Sequence, residues 1–127
     1  MPEVIFNGPE GRIEGRYHHA NDPNAPVALL LHPHPEYGGT MNNRVVYAMY
    51  QQGHNPNAST CWIAGFSFGA WISMQLMMRR PEISGFISAS PPASIYDFSF
   101  LAPCPASGLL IHGKSDEVVP VGSVDKL

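Results

Sequence analysis

Residues 27–31, Val-Ala-Leu-Leu-Leu, are apolar at every position, and this run constrains the fold more than any other segment. A strand with one face in water alternates apolar and polar side chains, whereas a strand covered on both faces is apolar throughout. Ser59–Ala64 is expected to form another short strand, and Gly85–Ala89 and Ser107–Ile111 two more buried ones. The sequence therefore predicts a parallel sheet flanked by helices.

Two helices are expected between these strands. A helix over Met41–Gln52 ends where Gly53 interrupts it, and a second over Phe68–Arg80 ends at Pro81. Because Phe68–Arg80 is apolar almost all round, it is expected to be buried. The alternation of strand and helix indicates an α/β protein with a single domain over residues 1–127.

The first segment of the chain predicts an antiparallel hairpin. Residues 7–11, Asn-Gly-Pro-Glu-Gly, have the composition of a turn and separate the extended stretches Val4–Phe6 and Arg12–Tyr17. A hairpin at this position would precede the parallel strands.

The charge and apolar content exclude several classes of partner. The formal net charge is −3, and the seven Lys and Arg residues are not clustered, which argues against nucleic acid. No apolar run approaches the roughly 20 residues that span a bilayer, and the start lacks the features of a signal peptide, so we expect no membrane partner and a cytoplasmic location. Cys61 and Cys104 stand far apart and are expected to be small buried or half-buried residues.

Residues 65–69, Gly-Phe-Ser-Phe-Gly, follow a predicted strand and open a predicted helix. In this strand-turn-helix context, Gly-x-Ser-x-Gly indicates a nucleophile elbow, which makes Ser67 the candidate nucleophile. The turn would aim the backbone N–H of Phe68 at the same space, as one donor of an oxyanion hole. The alternative is a glycine-rich connection whose serine has no catalytic role.

With three further segments, this motif resembles the α/β-hydrolase superfamily, and within it the small bacterial hydrolases that share a His-Pro-His-Pro loop and lie near the dienelactone hydrolases. The further segments are 30–35 (Leu-Leu-His-Pro-His-Pro), 38–43 (Gly-Gly-Thr-Met-Asn-Asn) and 111–116 (Ile-His-Gly-Lys-Ser-Asp). The resemblance implies that the His34 N–H is the second oxyanion donor and that Asp116 orients a catalytic histidine. It also implies a small-molecule ester, thioester or related acyl substrate.

Other uses of these residues stay open. Asp97 is a rival for the acid, and Asp116 also fits an ordinary turn aspartate. A metal site is another alternative, and its candidate ligands are His18, His19, His32 and His34. Because no carboxylate or cysteine stands at a supporting spacing, we predict no metal and no cofactor. The aromatic residues near the motifs are expected in the core rather than in an acyl pocket; they are Tyr37, Phe66, Phe68 and Trp71.

Two parts of the family pattern are missing. In this fold the triad order is Ser, Asp, His, but no histidine follows Asp116, and the histidines elsewhere are poor candidates for the base. Too few residues separate His32 from Gly65 for the strand and helix that the resemblance implies there, and the joint is expected near Tyr50–Gln51. The predicted fold is therefore an incomplete α/β-hydrolase-type sheet, mostly parallel and flanked by helices, without one central strand and the C-terminal strand and helix.

These gaps have consequences for stability and function. The missing central strand would lie between the hairpin and residues 27–31, so that run would form an unpaired apolar edge. We therefore expect low stability and self-association through exposed sheet edges. The predicted function is a serine hydrolase that is inactive as this chain, and the alternative is a non-catalytic degenerate paralogue or binding protein.

Overall fold

A computed structural model describes residues 3–18, 21–22, 25–52 and 61–127, with side chains left out at 49–52. In chain order its elements are β1 (Glu3–Gly8), β2 (Gly11–Arg16), β3 (Val27–Leu31), α1 (Arg44–Gln52), β4 (Cys61–Phe66), α2 (Phe68–Arg79), β5 (Ile83–Ala89), β6 (Ser107–Ile111) and α3 (Val121–Val124). Short 3-10 helices lie at Pro35–Tyr37 and Ser99–Leu101. The predicted elements are thus found, with bounds that differ by a few residues.

Strands β3 to β6 form one parallel sheet in the order β3-β4-β5-β6. The register places Leu31 beside Gly65, and Phe66 beside Ala89, which in turn lies beside Ile111. Because all four strands run the same way, their carboxyl ends meet at one edge, where ligands of open α/β sheets bind. The α/β class and the parallel sheet are confirmed.

Helix α2 packs across strands β3, β4 and β5 and closes the core. Its buried residues recur every three or four positions and form one stripe; they are Gly69, Ala70, Ser73, Met74 and Met77. Met74 and Met77 meet Ile63 and Phe86 from the sheet. None of residues 68–77 of α2 is exposed, as expected of a buried helix, whereas Met78 and Arg79 at its C-terminal end are exposed.

The predicted hairpin is present, but it forms a sheet of its own. Strands β1 and β2 pair antiparallel around a turn between Gly8 and Gly11, and neither pairs with β3. On one face of the hairpin, Val4, Phe6 and Ile13 are exposed apolar side chains. The Arg16 guanidinium donates a hydrogen bond of 2.6 Å to the Asn42 side chain, which ties the hairpin to the start of α1.

Both edges of the four-stranded sheet are exposed. Their apolar sequences are typical of strands covered on both faces, but the missing segments predicted an unpaired edge at residues 27–31 and exposed sheet edges. The exposure confirms the second expectation: Val27 is 62% exposed, Leu29 is 42% exposed, and every residue of β6 is exposed. The physical reason is their position: β3 and β6 are the two edge strands, and in the described part of the chain no further strand pairs with either. The apolar sequences of β3 and β6 are therefore typical of strands in a larger sheet than the four-stranded one of the described residues.

Other predictions meet the structure as follows. Cys61 is half-buried as expected, whereas Cys104 is exposed on the loop before β6. Among the described helices, none combines the length and the apolar composition that a bilayer crossing requires. The cytoplasmic location stays a prediction. Gly53, which was expected to end α1, lies outside the described residues.

We expect the chain to self-associate, because unpaired apolar edge strands template pairing with other chains. Size-exclusion chromatography with light scattering at tens of micromolar should give a mass of at least twice 13.9 kDa. Leu29→Lys, which places a charge on β3, should shift the protein toward the monomer. Ile95→Lys is the matched control, because Ile95 is 59% exposed but lies in a loop. A monodisperse wild-type monomer that melts cooperatively would contradict this prediction.

Candidate active site

Ser67 stands between β4 and α2 in a strained backbone conformation. Its φ of 55° and ψ of −118° lie where residues with a side chain are rarely found. The Ser67 N–H donates to the Ala89 carbonyl on the neighbouring strand at 2.9 Å, and the Ser67 carbonyl accepts from the Ala70 N–H at 2.9 Å. The hydroxyl makes no capping hydrogen bond to α2. Backbone hydrogen bonds of the Ser67 N–H and carbonyl thus hold this turn, and the hydroxyl is not needed to cap the helix.

Two glycines allow three backbone segments to meet beside Ser67. A Cβ at Gly65 would collide with the carbonyl of Gly69, and a Cβ at Gly69 would collide with the carbonyl of Leu31 and stand 2.6 Å from that of His32. Such distances to backbone atoms cannot be relieved by a side-chain rotation. The end of β3, the end of β4 and the first turn of α2 are therefore in direct contact.

The loop after β3 has an amide that no hydrogen bond uses. The His34 carbonyl accepts from the N–H groups of Tyr37 at 3.1 Å and Gly39 at 3.0 Å, and the His34 Nδ1 accepts from the Glu36 N–H at 3.2 Å. In the described part of the chain, the His34 N–H itself has no partner. The hydrogen bonds of this compact turn therefore hold His34 in place without using its N–H.

The first turn of α2 offers a second such donor. The first N–H groups of a helix have no intrahelical partner, and here the amides of Ala70 and Trp71 turn back to the Ser67 carbonyl. The Phe68 N–H is left over at the helix N-terminus, where the helix dipole favours negative charge. The rings of His34 and Phe68 touch edge to face with centroids 4.5 Å apart. The structure thus brings the two predicted donor residues together, although nothing in the sequence indicated the ring contact.

Asp116 follows β6 and is held with one oxygen to spare. Its Oδ1 accepts from the N–H groups of Val118 at 2.9 Å and Val119 at 2.8 Å. Its Oδ2 has no hydrogen bond within the described residues and lies 3.9 Å from the His112 Nε2. Ser67 and Asp116 follow the carboxyl ends of β4 and β6, so they lie at the same end of the parallel strands. Because β4 and β6 are two positions apart in the sheet, about 10 Å, the two residues are not in contact.

His112 is part of the Asp116 loop. Its side chain is only 5% exposed, and its Nε2–H donates to the Val119 carbonyl at 2.8 Å. The proton therefore sits on Nε2, and the buried Nδ1 has no partner in the described structure. With Nε2 committed and Nδ1 enclosed, His112 cannot take a proton from Ser67.

In the described ranges, neither His32 nor His34 is hydrogen-bonded to Ser67. The His32 Nδ1–H donates to the Pro33 carbonyl at 2.6 Å. His19 and His54 lie outside the described residues. Within those residues, no group of three His, Cys, Asp or Glu side chains could hold a metal ion.

Asp97, the rival acid, caps a 3-10 helix. Its Oδ1 accepts from the Ser99 N–H and its Oδ2 from the Ser99 hydroxyl, each at 2.9 Å. The backbone hydrogen bond and then the hydroxyl lower the pKa of this carboxyl below its usual value. Both oxygens of Asp97 are thus bound to Ser99 of its own loop, whereas the Oδ2 of Asp116 has no hydrogen bond within the described residues.

A row of aromatic side chains extends from the loop after β3 across α2. The Phe68 ring lies 5.9 Å from that of Trp71 and 5.7 Å from that of Tyr96, and the last two are stacked at 4.5 Å. The Trp71 Nε1–H donates to the Asp97 carbonyl at 2.9 Å. Tyr37, which was expected in the core, is 84% exposed because it stands at the tip of its loop.

Comparison with known proteins gave one curated relative, and no family model matches the chain. The relative is the uncharacterised protein RP471 of Rickettsia prowazekii, 46% identical over 171 positions, which include all of this chain and 72% of the relative. The alignment is 44 positions longer than the 127 residues of the chain. The relative thus has 44 residues, inside the aligned span, that this chain lacks.

Three solved structures are similar over 98% of the chain. A candidate α/β hydrolase of unknown function from Agrobacterium tumefaciens is 44% identical with a TM-score of 0.87, and the chain covers 76% of it. An α/β serine hydrolase homologue from Coxiella burnetii is 25% identical, with a TM-score of 0.74 and 79% of its length covered. An α/β serine hydrolase without a lid from Xanthomonas campestris is 25% identical, with a TM-score of 0.77 and 76% covered.

Gly69→Ala should destabilise the protein by about 1–3 kcal/mol, because the new methyl would overlap the backbone of Leu31 and His32. Urea unfolding at low protein concentration measures the change. Gly122→Ala is the matched control, since a Cβ there meets nothing within 4 Å; it should be neutral or stabilise by up to about 1 kcal/mol. Equal midpoints for the two variants would show that the segments do not pack as described.

Proposed function

The chain belongs to the α/β hydrolase family, and on that premise we propose that it is a serine hydrolase whose nucleophile is Ser67. The observation that carries the proposal is the backbone conformation of Ser67. This residue directly follows the central strand β4 and precedes helix α2, and its φ is 55°. Strain of this kind persists only where the surrounding structure enforces it, and it clusters at active sites. The Ser67 hydroxyl also supports the proposal, because it makes no capping hydrogen bond to α2.

The proposed substrate is an ester, a thioester or a related acyl compound. The Ser67 oxygen attacks the acyl carbon as its proton passes to a general base, and the negative charge that develops on the carbonyl oxygen is stabilised by the N–H groups of His34 and Phe68. Collapse of the tetrahedral intermediate expels the alcohol or thiol, which takes that proton, and water then releases the acid and restores the serine. The Oδ2 of Asp116 is the group that would orient an imidazole and stabilise its protonated form.

Among His32, His34 and His112, none is hydrogen-bonded to Ser67 as its general base. No histidine follows Asp116, and His112 is committed to the Val119 carbonyl. Removing the histidine of a serine triad lowers kcat by about 10⁶-fold, and the oxyanion hole and binding leave only a residual rate. We therefore propose that the 127-residue chain turns over slowly at most. A second candidate, a non-catalytic binding protein, is favoured by the exposed apolar edges at β3 and β6.

Rescue by free imidazole tests the proposal. We expect imidazole to raise the rate at which the protein hydrolyses a p-nitrophenyl ester by about tenfold or more, after the rate of hydrolysis by imidazole alone is subtracted. This gain is smaller than the roughly 10²–10⁴-fold that a positioned base provides, because free imidazole is not held in place. Ser67→Ala should remove the gain, and Asp116→Asn should reduce it. Ser90→Ala is the matched control, because Ser90 also has a positive φ, of 46°, and ends the neighbouring strand.

Each other outcome points to a different conclusion. The absence of any Ser67-dependent rate, with or without imidazole, would favour the binding protein. Full turnover without imidazole that Ser67→Ala abolishes would show that another group serves as base. Activity that a chelator abolishes and Ser67→Ala retains would point to metal-dependent chemistry.

A further inference from the structure

We propose that the side chain of His34 is a positioning residue, which sets the separation of the two oxyanion donors through its contact with the ring of Phe68. The inference rests on the proposed function, because it assigns the His34 and Phe68 amides to one oxyanion hole. In this arrangement the two residues that carry the donor N–H groups also touch each other through their side chains. This ring-to-ring contact joins the loop after β3 to the start of α2, in addition to the backbone contact at Gly69.

The His34 ring contacts two other rings. It meets the Phe68 ring at 4.5 Å, edge to face, which is a favoured arrangement for aromatic pairs. It also meets the Tyr37 ring, with centroids 5.2 Å apart. The Nδ1 accepts from the Glu36 N–H at 3.2 Å, so the ring cannot turn without breaking that bond.

The Phe68 ring has supports of its own. It contacts Trp71 and Tyr96, which stack on each other, and the Trp71 indole is hydrogen-bonded to the Asp97 carbonyl. A displacement of the His34 loop would therefore meet a fixed neighbour. Displacing a catalytic group by about 1 Å can cost about 10²-fold in rate, so this contact matters for the chemistry.

Two conservative variants separate the ring contact from the hydrogen bond. His34→Phe keeps an aromatic ring against Phe68 but has no acceptor for the Glu36 N–H. His34→Asn keeps an oxygen that can accept from an N–H two residues on, but it has no ring. If the ring contact positions the donor, His34→Phe retains function and His34→Asn loses it.

The readout is the affinity for phenylboronic acid, which needs no general base. The Ser67 oxygen adds to boron, its proton goes to solvent, and the resulting anionic tetrahedral adduct places an oxygen in the oxyanion hole. We expect His34→Asn to weaken binding by about 10- to 100-fold, short of the 10²–10³-fold for complete loss of a donor, and His34→Phe to stay within threefold of wild type. Tyr47→Ala, which removes a partly exposed ring on α1 outside this set of ring contacts, is the control and should change binding less than threefold.

Phe68→Leu should weaken binding as His34→Asn does, and the double variant should be no weaker than the worse single one, because both remove the same contact. Wild-type binding that His34→Asn leaves unchanged would overturn the inference while the proposed function stands. The reverse pattern, with His34→Phe weak and His34→Asn normal, would overturn it in favour of the Glu36 hydrogen bond. No Ser67-dependent binding by the wild type would overturn the proposed function, and the inference with it.

Discussion

The rest of the structure depends on the contact between the ends of β3 and β4 and the first turn of α2, where Gly65 and Gly69 leave no room for a side chain. This contact fixes where α2 begins and forces the turn that places Ser67 at positive φ. It also brings the loop after β3 to the N-terminus of α2, where the rings of His34 and Phe68 are in contact. Fold and candidate site therefore share one set of backbone contacts.

The sheet around this contact is incomplete. Its strands are as apolar as those of a sheet covered on both faces, yet β3 and β6 are edges and the hairpin forms a separate sheet. The 44 residues by which the alignment with the Rickettsia protein exceeds the chain agree with an internal gap. A TM-score of 0.87 to the Agrobacterium structure indicates that the remaining elements keep their arrangement nonetheless. The core formed by Ile63, Met74 and Phe86 thus does not require the covering elements to define its geometry.

The sequence predicted the parallel sheet because uninterrupted apolar runs have few other uses, and it predicted Ser67 because the glycine spacing is tied to a strand and a helix. The apolar pattern of residues 27–31 is the same whether or not a strand covers them, so the exposed edge there was predicted from the missing segments rather than from the pattern. The sequence was silent on contacts between distant segments, such as the rings of His34 and Phe68 or the Nε2–H of His112. The sequence favoured Asp116 over Asp97 as the acid, and the hydrogen bonds agree with that order, because Ser99 binds both oxygens of Asp97 whereas the Oδ2 of Asp116 has no hydrogen bond within the described residues. The relation to the dienelactone hydrolases stays a prediction.

The chain has only two tryptophans, and their surroundings differ. Trp71 is stacked on Tyr96, hydrogen-bonded through its indole, and in contact with the ring of the residue after Ser67, whereas Trp62 is exposed on β4. An iodide quencher in the solvent should therefore reach Trp62 first and Trp71 last. The fluorescence that survives quenching reports on the candidate site, which gives this chain a built-in optical probe of its own active-site geometry without any label.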